Sequence, residues 1–187
     1  HRLVLYLLLG AATWGVAFSG LEQYWQPYVN GITPADSPTR LFGFLTGGYF
    51  LVGALGAAAS GALFRLIGTR YAPAVALHRV GIGALFLLLA TTADVASFAT
   101  IYFLLFFLNG VASSPEQTLL NENVPSQVRS TILSFESLFL QAGGGLAALL
   151  WGVVAQAESI SLVWRLGGGL FLLSALLYLV VARRLSG

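Results

Sequence analysis

The feature that most limits the fold of this chain is a set of long stretches without charge. The run from Leu41 to Phe64 holds 24 consecutive uncharged residues, and 21 more lie between Asp94 and Glu116. A helix needs about 20 apolar residues to cross a bilayer. Soluble domains carry roughly a quarter charged residues, whereas this chain has 9% and a mean hydropathy of +0.84. So little charge cannot cover a surface that faces water, and we expect the chain to fold in lipid.

Polar loops divide the chain into six predicted helices with short connections. The apolar runs are continuous, whereas the strands of a transmembrane barrel alternate in segments of about ten residues. We therefore predict an all-α membrane protein with six transmembrane helices. The predicted helices cover about residues 3–29, 41–66, 72–93, 95–120, 130–157 and 160–182.

The arginines predict the orientation of these helices. Cytoplasmic loops of membrane proteins carry an excess of Lys and Arg. If the loop from Gly61 to Arg70 is inside, seven arginines lie toward the cytoplasm and two, Arg40 and Arg165, lie outside. Both ends of the chain are then expected in the cytoplasm, with multiple passes through the cell inner (plasma) membrane. The seven inner arginines are Arg2, Arg65, Arg70, Arg79, Arg129, Arg183 and Arg184.

Composition excludes several other kinds of protein. The net charge of +2 comes from arginines at helix ends rather than on one patch, so no nucleic-acid partner is expected. Without Cys the chain has no disulfides and no thiolate metal site, and we predict no cofactor and no metal. The chain lacks Met and begins at His1-Arg2, which indicates a fragment or a processed product.

Two loops and one helix segment resemble the major facilitator superfamily. The segment from Gly61 to Arg70 is similar to the pattern G-x-x-x-D/R-R-x-G-x-R/K, which joins the second and third helices of each six-helix half. Leu66 replaces one basic residue of that pattern. Residues 123–131 resemble the segment before the fifth helix of a half, with Ser130 in place of the usual Gly. Residues 24–28 resemble the start-helix motif of some members.

This resemblance implies a fold and a function. The chain would be the C-terminal six-helix half of a transporter, built from two inverted three-helix repeats, with the N-terminal half absent from the sequence. Its partners would be that half, membrane lipid and a small-molecule substrate. The implied activity is secondary active transport of a small organic solute by alternating access, not an enzymatic reaction. The paired glutamines and asparagines of sugar porters are poorly matched, so we expect efflux of drug-like or other organic solutes, with proton antiport as a hypothesis.

Charged and polar side chains within the predicted helices are the candidate substrate site. A charge at the centre of a bilayer costs about 3 kcal/mol on insertion scales, so each needs a reason. Burial favours the protonated form of a carboxyl group, and Glu22 and Glu116 are therefore the candidates for proton coupling. The alternatives are an interfacial aromatic belt around Glu22 and a structural salt bridge from Glu116 to an arginine of an inner loop. Spacings of three and four residues place Asn109, Ser113, Glu116 and Gln117 on one helix face. The candidate substrate-binding residues are Glu22, Gln23, Trp25, Gln26, Tyr49, Asn109, Ser113 and Gln141.

A second candidate set lies at the predicted cytoplasmic face. The resemblance implies that Arg70 bonds Glu122 at the end of the fourth helix and that this network locks one conformational state; an idle surface pair is the alternative. Arg79 and Glu136 each lie about two turns in from this face, so a buried pair between them is also considered. The candidate gating residues are Gly61, Arg65, Gly68, Arg70, Glu122 and Arg129.

Two other classes of membrane protein also have six helices. A channel or homo-oligomeric membrane protein is the alternative function, although no hairpin filter or ring of acidic residues is visible. An intramembrane serine protease is disfavoured. The segment from Ala58 to Gly61 lacks the first Gly of a G-x-S-G nucleophile site, and the last helix holds no His for a Ser–His dyad.

Overall fold

The computed structural model describes residues 2–33, 39–67 and 71–185, and within them every long element is helical. Each of the six long helices is long and apolar enough to cross a membrane, which confirms the predicted fold class. The helices are α1 (Arg2–Ile32), α2 (Arg40–Ile67), α3 (Tyr71–Leu89), α4 (Val95–Asn123), α5 (Arg129–Ala157) and α6 (Ile160–Leu185), with a short 3-10 turn at Ser126–Val128.

The helices pack in a pattern that has the symmetry of an inverted repeat. The three closest pairs are α1 with α5, α2 with α4, and α3 with α6, followed by α1 with α6 and α3 with α4. This pattern is unchanged if α1 exchanges with α4, α2 with α5 and α3 with α6. Two three-helix units related by a pseudo-two-fold axis produce such an exchange.

Several helix crossings depend on glycine, among them those of α3 with α6 and of α2 with α4. A Cβ built on Gly83 would lie 2.9 Å from the carbonyl oxygen of Gly168, and one built on Gly168 would lie 2.9 Å from that of Gly83. This reciprocal contact lies between α3 and α6, the two helices that the pseudo-two-fold axis exchanges with each other. A Cβ on Gly110 would collide with the carbonyl oxygen of Gly53, which brings α4 close to α2. Small residues let helix backbones approach in lipid, where van der Waals packing drives association.

Buried aromatic side chains fill the half of the bundle around the α3–α4 connection. Trp164 is fully buried, its Nε1 donates to the Gly20 carbonyl oxygen (3.1 Å), and its ring centroid is 4.6 Å from that of Tyr28. The Tyr28 hydroxyl donates to the Thr92 carbonyl oxygen. Trp151 Nε1 similarly donates to a backbone carbonyl of α1 (2.8 Å). These two indoles and the Tyr28 phenol thus satisfy their polar atoms while their rings remain packed, whereas the buried Tyr102 hydroxyl has no partner among the described residues.

The third helix ends earlier than predicted. It stops at Leu89 instead of near residue 93. The reason is a tighter turn there, in which the Thr91 and Thr92 amides donate to the carbonyl oxygens three residues earlier. Asp94, expected only to end the third span, caps the fourth helix. Its carboxylate accepts from the Ser97 hydroxyl (2.7 Å) and from two backbone amides of α4 (2.9 Å each). The Ser97 hydroxyl and these amides lower the pKa of Asp94.

The surface of α2 and α5 is strongly apolar. Only 11% of the most apolar stretch of each helix is buried, against 56% for α1 and for α3. Large side chains such as Phe44 and Leu149, 64% and 74% exposed, lie on these two helices. A surface of this kind is expected to contact lipid or other apolar groups rather than water.

Candidate functional site

The larger of two cavities described here lies between α1, α2, α4 and α5 and has a volume of about 660 Å³. Most of its wall is apolar or aromatic, and it includes Trp14, Tyr49 and Phe50. Its polar side chains are Tyr49, Asn109, Glu116, Gln117, Glu136, Ser137 and Tyr178. An apolar chamber with a few converging polar groups has the size and character of a small-molecule site.

An ion pair forms one wall of this cavity. Arg79, on α3, has no exposed surface, while the Glu116 side chain on α4 keeps 24% of its own. Arg79 donates from Nε (3.1 Å) and Nη2 (2.9 Å) to Glu116 Oε1, and from Nη2 to the Tyr178 hydroxyl (3.1 Å). Helices α3, α4 and α6 therefore meet at one guanidinium group. A charge buried this deeply requires its partner, since an unpaired one costs several kcal/mol.

Aromatic rings complete the environment of Arg79. The guanidinium carbon lies 4.6 Å from the centroid of the Trp14 ring and 5.1 Å from that of Tyr178. The Trp14 ring also stacks on His78 at 5.7 Å, and His78 Nε2 donates to the Leu108 carbonyl oxygen (3.0 Å). His78 thus has a packing role here, as expected for a single interior histidine.

The partner of Arg79 differs from the pair considered with Glu136. Glu136 lies on α5 and accepts a hydrogen bond from Gln117 Nε2 (3.3 Å). Glu116 does form a salt bridge, but with Arg79 inside α3 rather than with an arginine of an inner loop. The reason is the direction of the helix faces. Arg79 points toward the interface of α3 with α4, whereas α5 packs against α1 on the other side of the cavity.

A smaller cavity of about 340 Å³ follows the groove between α1 and α5. Glu22, Gln23 and Gln141 line it, three of the eight predicted substrate residues. Trp14 and Leu140 line both cavities. The two chambers therefore adjoin at these two residues, near the middle of α1 and α5.

The other predicted substrate residues are scattered. Tyr49 and Asn109 line the larger cavity, and Gln26 is exposed away from both. Trp25 is buried in the core, where its ring centroid is 5.5 Å from that of Tyr102. The side chain of Ser113 lies outside the described ones. The structure thus brings Asn109, Glu116 and Gln117 together, as their helical spacing predicts, but separates them from the cluster at Glu22.

The predicted gating residues lie at the α2–α3 and α4–α5 connections. Gly61 and Arg65 are on the exposed face of the last turns of α2, and Glu122 is exposed near the end of α4. Gly68 and Arg70 lie outside the described residues, so the expected Arg70–Glu122 bond stays a prediction. Arg129 donates from Nη2 to the Val124 carbonyl oxygen (3.4 Å), a contact that holds the turn between α4 and α5.

Several residues that line the larger cavity were not predicted from the sequence. Trp14 and Tyr178 contact Arg79. Each is one of several aromatic residues in a long apolar helix, and an aromatic residue in such a helix does not by itself indicate a site. Spacing gives a clue for Trp14, because Leu7, Ala11 and Trp14 recur at four and three residues and line the cavity together. Ser137 directly follows Glu136 and had no such pattern.

Comparison with protein families gives one match over most of the chain. A family model described as sugar (and other) transporter matches residues 10–184. Among curated proteins, no match to the chain was found.

Proposed function

The chain belongs to the sugar (and other) transporter family of the major facilitator superfamily, and from this premise we propose that it forms one six-helix half of a secondary transporter that moves a small organic solute by alternating access. The predicted resemblance to that superfamily is confirmed by the match. Membership supports a solute carrier in a lipid environment rather than an enzyme. The mechanism, the solute and the second half are the proposal.

The observation that carries the proposal is the larger cavity. Its volume of about 660 Å³ suits a small organic molecule, and two carboxylates face it inside an otherwise apolar bundle. Charged side chains within membrane helices mark substrate or ion paths more often than packing positions. Asn109 and Gln117 add hydrogen-bonding groups on the same helix, so substrate contacts are proposed for these residues and for Tyr49.

We further propose that transport runs outward. The larger cavity includes Leu7 of α1, Leu120 of α4 and Glu136 of α5, which lie near the helix ends that the arginines assign to the cytoplasm. An apolar solute would enter this chamber from that side. The smaller cavity around Glu22 and Gln141 would then belong to the outer part of the path.

Proton coupling is proposed for Glu22 and Glu116, which stand in different surroundings. Glu116 is held by Arg79, so its protonation must break or weaken that ion pair. Because Arg79 also contacts Tyr178 and Trp14, loss of the pair would alter the contacts among α1, α3, α4 and α6. Glu22 has an exposed side chain in the smaller cavity and is the second candidate.

The decisive experiment is solute-driven proton movement in liposomes that contain the native polypeptide and a trapped pH dye. A panel of neutral sugars and organic ions serves as solutes. Glu116→Gln and Glu22→Gln are compared with Glu158→Gln, which changes an exposed carboxylate at the α5–α6 turn. We expect at least one of the first two variants to move solute without protons. Unchanged coupling in both would refute the proton hypothesis, and no solute movement by the unaltered protein would refute transport.

The size of the native polypeptide tests the two-half architecture separately. We expect a chain about twice as long as this one in its own membrane, because such transporters are built from two six-helix halves. A native chain of 187 residues would contradict that expectation and favour a homo-oligomer.

A further inference from the structure

We propose that the larger cavity binds an organic cation with an aromatic or otherwise apolar body, and that Glu136 supplies the counter-charge. The inference rests on the proposed transport function and names its substrate class.

The charges around the cavity are unbalanced. Glu116 is neutralised by Arg79, which donates two hydrogen bonds to its Oε1. Glu136 accepts from the neutral amide of Gln117 (3.3 Å), and no cationic side chain among the described residues lies within 4.0 Å of it. One negative charge is therefore left facing the chamber. A positive ligand would offset the cost of that charge in a membrane bundle.

The aromatic wall suits the same ligand. The Tyr49 ring centroid lies 4.3 Å from that of Phe50 and 4.5 Å from that of Phe106, and all three residues line the cavity. Phe50 is 64% exposed, so its ring is not enclosed by other side chains of the bundle. Trp14 already carries Arg79 over its ring at 4.6 Å. Cations gain about 0.5–2 kcal/mol over aromatic faces.

The other ligand classes fit less well. An organic anion would meet Glu136, while the guanidinium of Arg79 has no exposed surface to receive it. A sugar could hydrogen-bond to Asn109, Gln117 and Ser137 of the wall, but it would leave the charge of Glu136 without a counter-ion. A delocalised cation with apolar substituents needs only the carboxylate and the rings. A volume of about 660 Å³ accommodates a molecule of that type.

Tetraphenylphosphonium and tetraphenylborate provide a matched test, since they have nearly the same shape and opposite charge. Binding of radiolabelled tetraphenylphosphonium is measured on the purified native polypeptide in detergent. We expect saturable binding of the phosphonium and none of radiolabelled tetraphenylborate, which is measured in a separate sample because the two ions precipitate together. Glu136→Gln should weaken binding about tenfold or more, as loss of a buried charge partner does. Phe50→Ala should weaken it several-fold, and Glu158→Gln should leave it unchanged.

Three results would overturn the inference: no phosphonium binding, equally tight binding of the borate in its separate sample, or unchanged affinity in a folded Glu136→Gln protein. Gel filtration and thermal unfolding report whether that variant folds. If that variant does not fold, two others test the inference. Glu136→Asp retains the charge and should retain binding, and Phe50→Ala should weaken it. Sugar uptake by liposomes made from a preparation that binds no phosphonium would refute the cation class and leave the transport proposal standing.

Discussion

Removal of the Glu116 carboxylate should destabilise the bundle by about 3 kcal/mol, because Arg79 would be left buried without its counter-charge. Breaking a buried ion pair by deleting one partner costs roughly 3–5 kcal/mol. Glu116 keeps 24% of its side-chain surface, so water or lipid headgroups can replace part of its role, and the lower end of that range applies to Glu116→Ala. After the deletion, Arg79 keeps the Tyr178 hydroxyl and the Trp14 and Tyr178 rings, none of which carries a negative charge.

A second variant separates charge from hydrogen bonding. Glu116→Gln retains an oxygen that can accept from Nε and Nη2 of Arg79, so it loses the charge and keeps the acceptor. Hydrogen bonds to charged groups contribute about 1.5–3 kcal/mol, and we expect Glu116→Gln to cost about half as much as Glu116→Ala. The double variant Arg79→Met/Glu116→Leu removes both charges and fills similar volume. Such replacements are often neutral, so it should be more stable than Glu116→Ala.

The assay is equilibrium unfolding in mixed detergent micelles, followed by tryptophan fluorescence, with Glu158→Gln as the control at an exposed site. The single variants Arg79→Met and Glu116→Leu, measured with the double variant and the unaltered protein, form a cycle whose coupling term measures the pair. A loss below about 1 kcal/mol in Glu116→Ala, or strict additivity in the double variant, would show that this pair does not stabilise the bundle.

Two further predictions concern helix packing and capping. Gly110→Ala should cost about 1–3 kcal/mol because its methyl group would meet the Gly53 carbonyl oxygen, whereas Gly47→Ala, with nothing within 4 Å, should be neutral or slightly stabilising in the same unfolding assay. Asp94→Ala should lower the melting temperature at neutral pH by uncapping α4, and Asp94→Asn should lower it less. Because the fold lowers the pKa of Asp94, its contribution is present at neutral pH and is lost as the pH falls through the folded value. The melting temperatures of the unaltered and Asp94→Ala proteins should therefore converge in acid, and a constant difference would contradict this account.

The sequence was enough to predict the helices because each needs only a long uncharged run. It was less reliable at their ends. The charge of Asp94 predicts the end of α3, but its carboxylate caps the start of α4 instead, and α3 ends at Leu89. The difference arises because a helix end depends on local hydrogen bonds, whereas an apolar run shows only how far the membrane extends.

The site was predictable along one helix and not between helices. Periodicity placed Asn109, Glu116 and Gln117 on one face, and all three line the larger cavity. Neighbours in sequence point about 100° apart on a helix, which is why Trp25 is buried and Gln26 exposed although both were assigned to one cluster. The partner of Arg79 depends on how α3 rotates against α4, and the amino-acid pattern of either helix alone does not contain that angle.

The position of Trp14 and Leu140 between the two chambers has a consequence for size selection. Trp14 is fixed, because it stacks on Phe18 at 5.4 Å and on His78 at 5.7 Å. The backbones cannot come closer, since a Cβ on Gly15 would already collide with the Leu140 carbonyl oxygen. The side chain of Leu140, 38% exposed, is therefore the adjustable part of this constriction. A larger or smaller side chain at Leu140 would therefore narrow or widen the space where the two chambers adjoin, without altering any charge.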